Sequence, residues 1–471
     1  MESIGLRERP VRKCRLQNSK VNTSREELIP DALSNPSGPG HQPPKFTIDL
    51  SLPPEQRYSH VVPEMLPEIN NSQLESLFTT LVSDIAPRPI AKLINLLAPR
   101  ILRRVYSDEE NAELRGIAQA TRLPMHLLVA FNVLLDLLMG CTSGGVRVEE
   151  RVPGASWESR VLHFRTLDWA MDPLRHIVVE LDFVRRPGGP VVATSLTYLG
   201  YVGVLTGVRE GLSLSLNFRP YHDSTTWRKR LAFKRHQLLV VLGRRPSISS
   251  VLRSYIIPRV GSEAAGGPGG GDKSQFGGWG KKGGKAKRSE PDDSSDFPSI
   301  ERTLAELSSA PSTSAYLVLC TPQAAHLVEQ DHRTASVRAS GSLLVGCNHD
   351  CTDEDNAAAL EAAARDLAEH ETATGMDVII QSSIDRKCRV DEIVREALAR
   401  RRRELRRQEW AVAVEDVLAV LQDPEVSNSD THYAAIMDPQ NGKILWRRVY
   451  MPGELGELEE PEEPEDWSMV L

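Results

Sequence analysis

Residues 137 to 171 read "LLMGCTSGGVRVEERVPGASWESRVLHFRTLDWAM". A thiol, Cys141, follows an apolar run and a glycine, and an Arg-x-x-Asp pair, Arg165 and Asp168, stands on the strand-like segment beyond it. A cysteine so placed can be a buried structural thiol or a nucleophile. The second reading gains from a break in the Gly140–Cys141 peptide bond. The freed α-amine of residue 141 would have a reference pKa of about 7.7 to 8.0, low enough to act unprotonated, so nucleophile and general base would share one residue. The thiol, with a reference pKa of about 8.5, would fall further beside a guanidinium that cannot give up its charge, and Arg165 is the candidate for that part. Asp168 could accept a hydrogen bond from the new amine. Residues i and i+3 of a regular strand face opposite ways, so bringing Arg165 and Asp168 to one site calls for a bulge or turn.

The 471 residues can bury a sizeable core without staples, and six scattered cysteines (Cys14, Cys141, Cys320, Cys347, Cys351, Cys388) do not form a disulfide framework. A net charge of -7, with the charges segregated locally, gives no reason to expect nucleic acid as a partner. The apolar runs stop short of about 18 uninterrupted residues, so no membrane-spanning helix is expected. The basic opening "MESIGLRERPVRKCRLQNSK" has no apolar stretch behind it, which makes a cytoplasmic setting the expectation. Glycosylation at Asn70 would contradict that placement.

Elements that could position these groups follow from composition and period. Residues 1–43 are polar and Pro-rich and are expected to be a disordered arm. Residues 44–140 offer a strand, "KFTIDL", then helical periods, including an amphipathic stretch at 90–106 that could rest on a membrane surface or pack in the core. After Cys141 the texture becomes β-rich, with turns between "VLHFRTLDW", "HIVVELDFVRR", "VVATSLTYLG" and "LSLSLNFRP". This second segment, 141–452, carries a Gly- and Lys-rich insertion at 261–296, a basic helix face at 395–409 and a closing hairpin around "PQNG"; an acidic tail, 453–471, ends the chain. Sheets segregated from helices predict an α+β layered fold.

Other constellations carry less. "CNHDC" (Cys347, His349, Asp350, Cys351) has metal-ligand residue types but no second pair at zinc spacing, so no metal and no cofactor is expected. "GYVGVLTG" lacks the Lys-Ser/Thr of a phosphate loop. His163 and His176 lie near strands, and an α-amine base would need neither.

"CTS" at the head of the β-rich region, "FRTLDW" beyond it, "YLGYVGVLTGVREGLSLSLNFR" and finally "CNHD" resemble, in order and spacing, the acid ceramidase and N-acylethanolamine-hydrolysing acid amidase family. The resemblance covers roughly residues 45–258 and 300–450 and is sharpest over 141–220. It implies an N-terminal nucleophile hydrolase-like αββα sandwich of antiparallel sheets with a helical N-terminal portion. It also implies a precursor that cuts itself before Cys141, leaving an α-subunit-like segment (44–140) and a β-subunit-like catalytic segment that stay associated. Roles carried over with it make Cys141 nucleophile and, through its amine, base, with Arg165 supporting the thiolate and Asp168 holding the amine. Asn348, flanked here by Cys347 and His349 where the family has Thr and Tyr, would donate to the oxyanion. Arg386, in "SIDRKCR", would be a further site cation. The implied substrate is a fatty N-acyl amide such as ceramide or an N-acylethanolamine, with Leu134, Leu135, Leu137, Leu138, Met139, Trp169 and Tyr198 giving an apolar context. Two alternatives stay open: a non-catalytic lipid-binding or interaction protein on the same fold, and an amidase for bile-salt-like or penicillin-like amides.

Overall fold

The computed structural model describes residues 42–74, 76, 88–134, 140–151, 157–169, 171–220, 222–259, 297–354, 356, 376–405 and 410–455. The 261–296 insertion, the apolar residues 135–139, most of the acidic tail and all but the last two residues of the expected disordered arm lie outside them.

Before residue 140 the chain forms β1 (Lys45–Asp49), α1 (Val61–Asn71), α2 (Arg88–Ile101), α3 (Asp108–Thr121) and α4 (Met125–Leu134). Then come β2 (Gly140–Arg151), β3 (Trp157–Asp168), β4 (Val178–Val184), β5 (Val191–Tyr198), β6 (Thr206–Arg209) and β7 (Leu212–Phe218). Helices α5 (Trp227–Val241), α6 (Ile248–Ile256) and α7 (Ile300–Ser309) follow. The last third holds β8 (Ala315–Cys320), β9 (Ala325–Gln330), β10 (Ala335–Ser340), β11 (Leu343–Gly346), α8 (Cys351–Glu354), α9 (Met376–Leu405), α10 (Val414–Leu421), β12 (Thr431–Asp438) and β13 (Lys443–Val449). Helix starts are set locally. Ser107, Thr226, Ser247 and Ser299 each accept the backbone N–H three residues on, satisfying a donor that has no partner within the helix.

The strands make an eight-stranded sheet, ordered β1-β4-β5-β6-β7-β8-β9-β10, and a five-stranded sheet, β11-β2-β3-β12-β13. The sheets meet face to face, β2 and β3 lying over β7 and β8. Helices α9 and α10 cover the outer face of the smaller sheet, and α6 and α7 that of the larger, which completes the expected αββα layering. One edge adds a detail. Pairing is not wholly antiparallel, because β1 joins the edge of the large sheet parallel to β4. An alternating apolar run reports a half-buried strand but not the direction of its neighbour.

The outer layer follows from period. Val390, Ile393, Val394 and Ala397 make one apolar stripe on α9, which packs with Val417, Leu418 and Leu421 of α10 onto Val146, Val148, Leu162, Phe164 and Ile436 of the small sheet. Burying each large aliphatic side chain stabilises this layer by about 1.5–3 kcal/mol. In contrast, part of the apolar surface of α2 is not spent on the core: Leu93 and Leu96 are 53% and 65% exposed, and Leu97 and Ile101 are also accessible, although Ala98 is buried.

Candidate active site

The pairing of β2 with β3 is continuous from Gly140 opposite Asp168 to Arg151 opposite Trp157. Alternation therefore holds along both strands, and the bulge that the sequence called for is not in β3. The irregularity falls instead in the neighbouring strand, where β12 slips between Thr431, opposite Asp168, and Tyr433, opposite Leu167. As a result, Arg165 points between the sheets and Asp168 points out to the helix layer. The two grip residue 141 from opposite faces.

Between the sheets, Arg165 Nη2 donates to the Cys141 thiol at 3.4 Å, while Nη1 donates to the Leu216 carbonyl (2.8 Å) and Asn217 Oδ1 (3.0 Å). Asn217 Oδ1 also accepts from Ser143 Oγ at 2.8 Å, and its Nδ2 donates to the Gly346 carbonyl at 2.9 Å, so one amide ties β2, β3, β7 and β11 together. Burial works against the charge on Arg165, but the Cys141 thiol, the Tyr433 phenol and Asp168 hold its pKa above the ordinary value. Tyr433 is fixed in turn by Thr206 Oγ1 at 2.9 Å.

On the helix side, Arg386 of α9 reaches down to Asp168 Oδ2 at 2.6 Å, to Thr142 Oγ1 at 3.2 Å and to Asn348 Oδ1 at 3.1 Å. Thr431 Oγ1 donates to the other Asp168 oxygen at 2.8 Å. Asn348 Oδ1 accepts the Cys141 backbone N–H at 2.8 Å, and Asn348 Nδ2 donates to the Phe218 carbonyl at 2.7 Å. All five residues singled out in the sequence thus converge on the residue 140–141 junction.

Three details of the uncut chain add to these expected roles. Burial pushes the Cys141 thiol up, outweighing the pull of Arg165, because the side chain is wholly inside and a thiolate there would lose its hydration. Asn348 meets Cys141 through its oxygen, which Cys141 N–H and Arg386 share, while the Nδ2 expected to donate to the oxyanion lies on the Phe218 carbonyl. Asp168 is engaged by Arg386 and Thr431, and its link to the Cys141 nitrogen runs through Arg386 and Asn348.

The competing groups are used elsewhere. Both ring nitrogens of His163 contact serines of β7, Ser213 and Ser215, and burial pushes its pKa down to about 3. His176 sits 3.6 Å from Glu68. In "CNHDC", Cys347 faces Thr142, His349 faces Ser383, and Asp350 pairs with Arg219. Among the described residues, no group of three or more His, Cys, Asp or Glu side chains is placed to hold a metal ion.

A family model described as the beta subunit of N-acylethanolamine-hydrolyzing acid amidase matches residues 41–106, wholly upstream of Cys141. Acid ceramidase of Mus musculus is 32% identical over 203 residues, 39% of this chain and 48% of that protein. The N-acylethanolamine-hydrolyzing acid amidase of Caenorhabditis elegans is 30% identical over 208 residues, 41% of this chain and 54% of that one. Over these stretches the chain is similar in sequence to acid ceramidases and N-acylethanolamine-hydrolyzing acid amidases. It spans about half the length of the curated relatives it matches. A solved structure of the C. elegans amidase ortholog aligns with 18% identity and a TM-score of 0.38, over 64% of this chain and 93% of that one.

Asn217, Ser143, Tyr433, Thr431 and Ser383 are given no role by the sequence and enter the site from the structure. Ser143 had a signal, as the third residue of "CTS". Asn217 had a weaker one, a lone amide ending the alternating run "LSLSLNF". Trp169 and Tyr198, named as apolar neighbours, do meet beside the site, their rings 6.3 Å apart and edge to face.

Proposed function

We propose that this chain is a self-processing N-terminal cysteine amidohydrolase that cleaves a fatty N-acyl amide, of ceramide or N-acylethanolamine type, through a thioester acyl-enzyme. The observation that carries the reading is the double grip on Cys141, a guanidinium on its thiol and an Asn–Arg–Asp chain on its nitrogen. A structural cysteine needs neither. In the uncut chain that nitrogen is an amide and cannot be a base, and among the described residues no histidine bonds the thiol. Cutting before Cys141 supplies the missing base where Asn348 already holds the nitrogen.

In the cut protein the Cys141 thiol gives its proton to the α-amine and attacks the substrate carbonyl carbon. The resulting ammonium returns the proton to the departing nitrogen as the C–N bond breaks. Water, deprotonated by the same amine, then attacks the thioester, releasing the fatty acid and restoring the thiol. Arg165 favours the charged thiolate at each stage.

The finer parts of the reading have their own support. Strand β1 lies in the large sheet beside β4, so the segment before the cut is part of the fold and would remain with the rest. The exposed leucines of α2, with Lys92 and Arg100 on the same helix, suit a helix resting on a lipid surface from which an acyl amide is drawn. A denaturing gel tests the proposal. The 471 residues should appear as pieces of 140 and 331, the second beginning at Cys141. Cys141→Ala should give one uncut chain with no hydrolysis of N-acyl amides; a Cys141→Ala protein that still hydrolyses them would remove the proposal.

A further inference from the structure

Asn132 lies in the interior of α4, nearly all apolar, with its side chain buried. Its amide does not serve the helix alone. Nδ2 donates to the Gly200 carbonyl at 2.8 Å, and Oδ1 accepts the Val202 N–H at 2.8 Å, a two-way bridge to the backbone of the β5–β6 connection. Gly200 holds φ +89°, which an L side chain rarely adopts. The same connection is gripped a second time, where Arg253 donates to the Val202 carbonyl at 2.6 Å while paired with Glu113 of α3.

Both ends of this connection touch what supports Arg165. At its far end, the Leu205 carbonyl accepts the Leu216 N–H, and Leu216 offers its own carbonyl to Arg165. Thr206, next in line, fixes the Tyr433 phenol that lies against the same guanidinium. At its near end, the Tyr198 ring packs on Phe131 of α4 and on Tyr433. Asn132 precedes residue 141, and the two backbone groups it grips outside its own helix follow it.

We propose that Asn132 is a positioning residue of the amidase site, contributed by the segment upstream of the cut, which fixes the Gly200–Val202 backbone and through it the supports of Arg165. The severed upstream piece is then a working part of the site and not only a spent leader. This rests on the Cys141 amidase reading.

The test uses the full chain with Asn132→Leu, similar in size but unable to bridge, and Gly200→Ala, which disturbs the same backbone from the other side, its Cβ meeting Leu128 Cδ2 at 3.3 Å. Cutting and co-elution of the two pieces on gel filtration are scored first. Cut, associated protein of either variant should show kcat on an N-acyl amide reduced about 10- to 100-fold with KM little changed. The apparent pKa of Cys141, from the pH dependence of iodoacetamide inactivation, should rise by about one unit as Arg165 loosens. A loss confined to unassembled protein would overturn the inference, as would a wild-type kcat and alkylation profile in either associated variant. If wild-type protein itself shows no Cys141-dependent hydrolysis, the amidase reading fails instead, so the two failures are told apart.

Discussion

Asn348 turns its side-chain oxygen toward Cys141, accepting the backbone N–H at 2.8 Å, and the same oxygen accepts from Arg386 at 3.1 Å. A carboxamide oriented by a buried guanidinium in this way holds the nitrogen of the Gly140–Cys141 bond and, if the proposed cut is made, would hold the α-amine after it. Asn348→Leu removes the acceptor from both donors. Loss of a hydrogen bond to a charged group costs about 1.5–3 kcal/mol, so self-cleavage should slow roughly 10- to 150-fold. The measure is the rate at which the intact band disappears on a gel. Cutting at the wild-type rate would show that the oxygen is not needed.

Arg165 works on the other atom of the same residue. Burial pushes the Cys141 thiol up and Arg165 is the foremost influence pulling it down, so removing the cation leaves burial unopposed. Arg165→Met should therefore move the alkylation profile of Cys141 to higher pH. The kcat/KM of matured protein should fall by about a hundredfold or more. Arg165→Lys is not expected to rescue, because a single ammonium nitrogen cannot occupy both the Nη1 place beside Leu216 and Asn217 and the Nη2 place beside the thiol. A lysine variant with wild-type turnover would reduce the arginine to a simple charge.

How far the site could be read from sequence depends on the distance between its parts along the chain. Cys141, Arg165 and Asp168 sit in one hairpin, where a thiol at the head of a β-rich region and an Arg-x-x-Asp pair are visible together. Strand alternation already placed Arg165 and Asp168 on opposite faces. What alternation could not tell was that the site straddles β2, so that no bulge is needed. Asn348 and Arg386 became legible only through the family resemblance, since nothing in "CNHD" or "SIDRKCR" says that a loop and a helix meet above Cys141. Asn217, Thr431 and Tyr433 look like ordinary strand residues, because their contacts depend on how two sheets stack. The layered fold was legible from the order of β-rich and helical segments, whereas the parallel pairing of β1 with β4 was not.

Glu110, buried on α3 with both oxygens near Ser250 Oγ, has its pKa raised by burial from 4.5 to about 7. The folded protein therefore binds this proton more tightly than the unfolded chain. Between about pH 4.5 and 7 the folded state holds the proton and the unfolded state does not, so this contribution to stability is full below the lower value and lost as pH rises through the higher. At about 1.4 kcal/mol per unit, roughly 3 kcal/mol is at stake. Glu110→Gln should flatten the urea midpoint against pH over that window, and a slope that persists unchanged would assign the titration elsewhere.

Asp168 and Arg386 form a buried ion pair at 2.6 Å, and its role in folding can be separated from its role at the site. Breaking one partner of a buried pair leaves the other charge uncompensated and costs about 3–5 kcal/mol, whereas replacing both with apolar residues is often close to neutral. In a Cys141→Ala background, which keeps one covalent chain, Asp168→Leu should therefore lower the unfolding free energy by that amount, and Arg386→Met added to it should restore most of the loss. With Cys141 present the double variant should fold yet fail to cut, because Asn348 has lost the guanidinium that orients its oxygen. Stability and cutting recovering together would mean that the pair matters only to packing. Recovery of stability alone would establish that Arg386 and Asp168 act on the Cys141 nitrogen through Asn348.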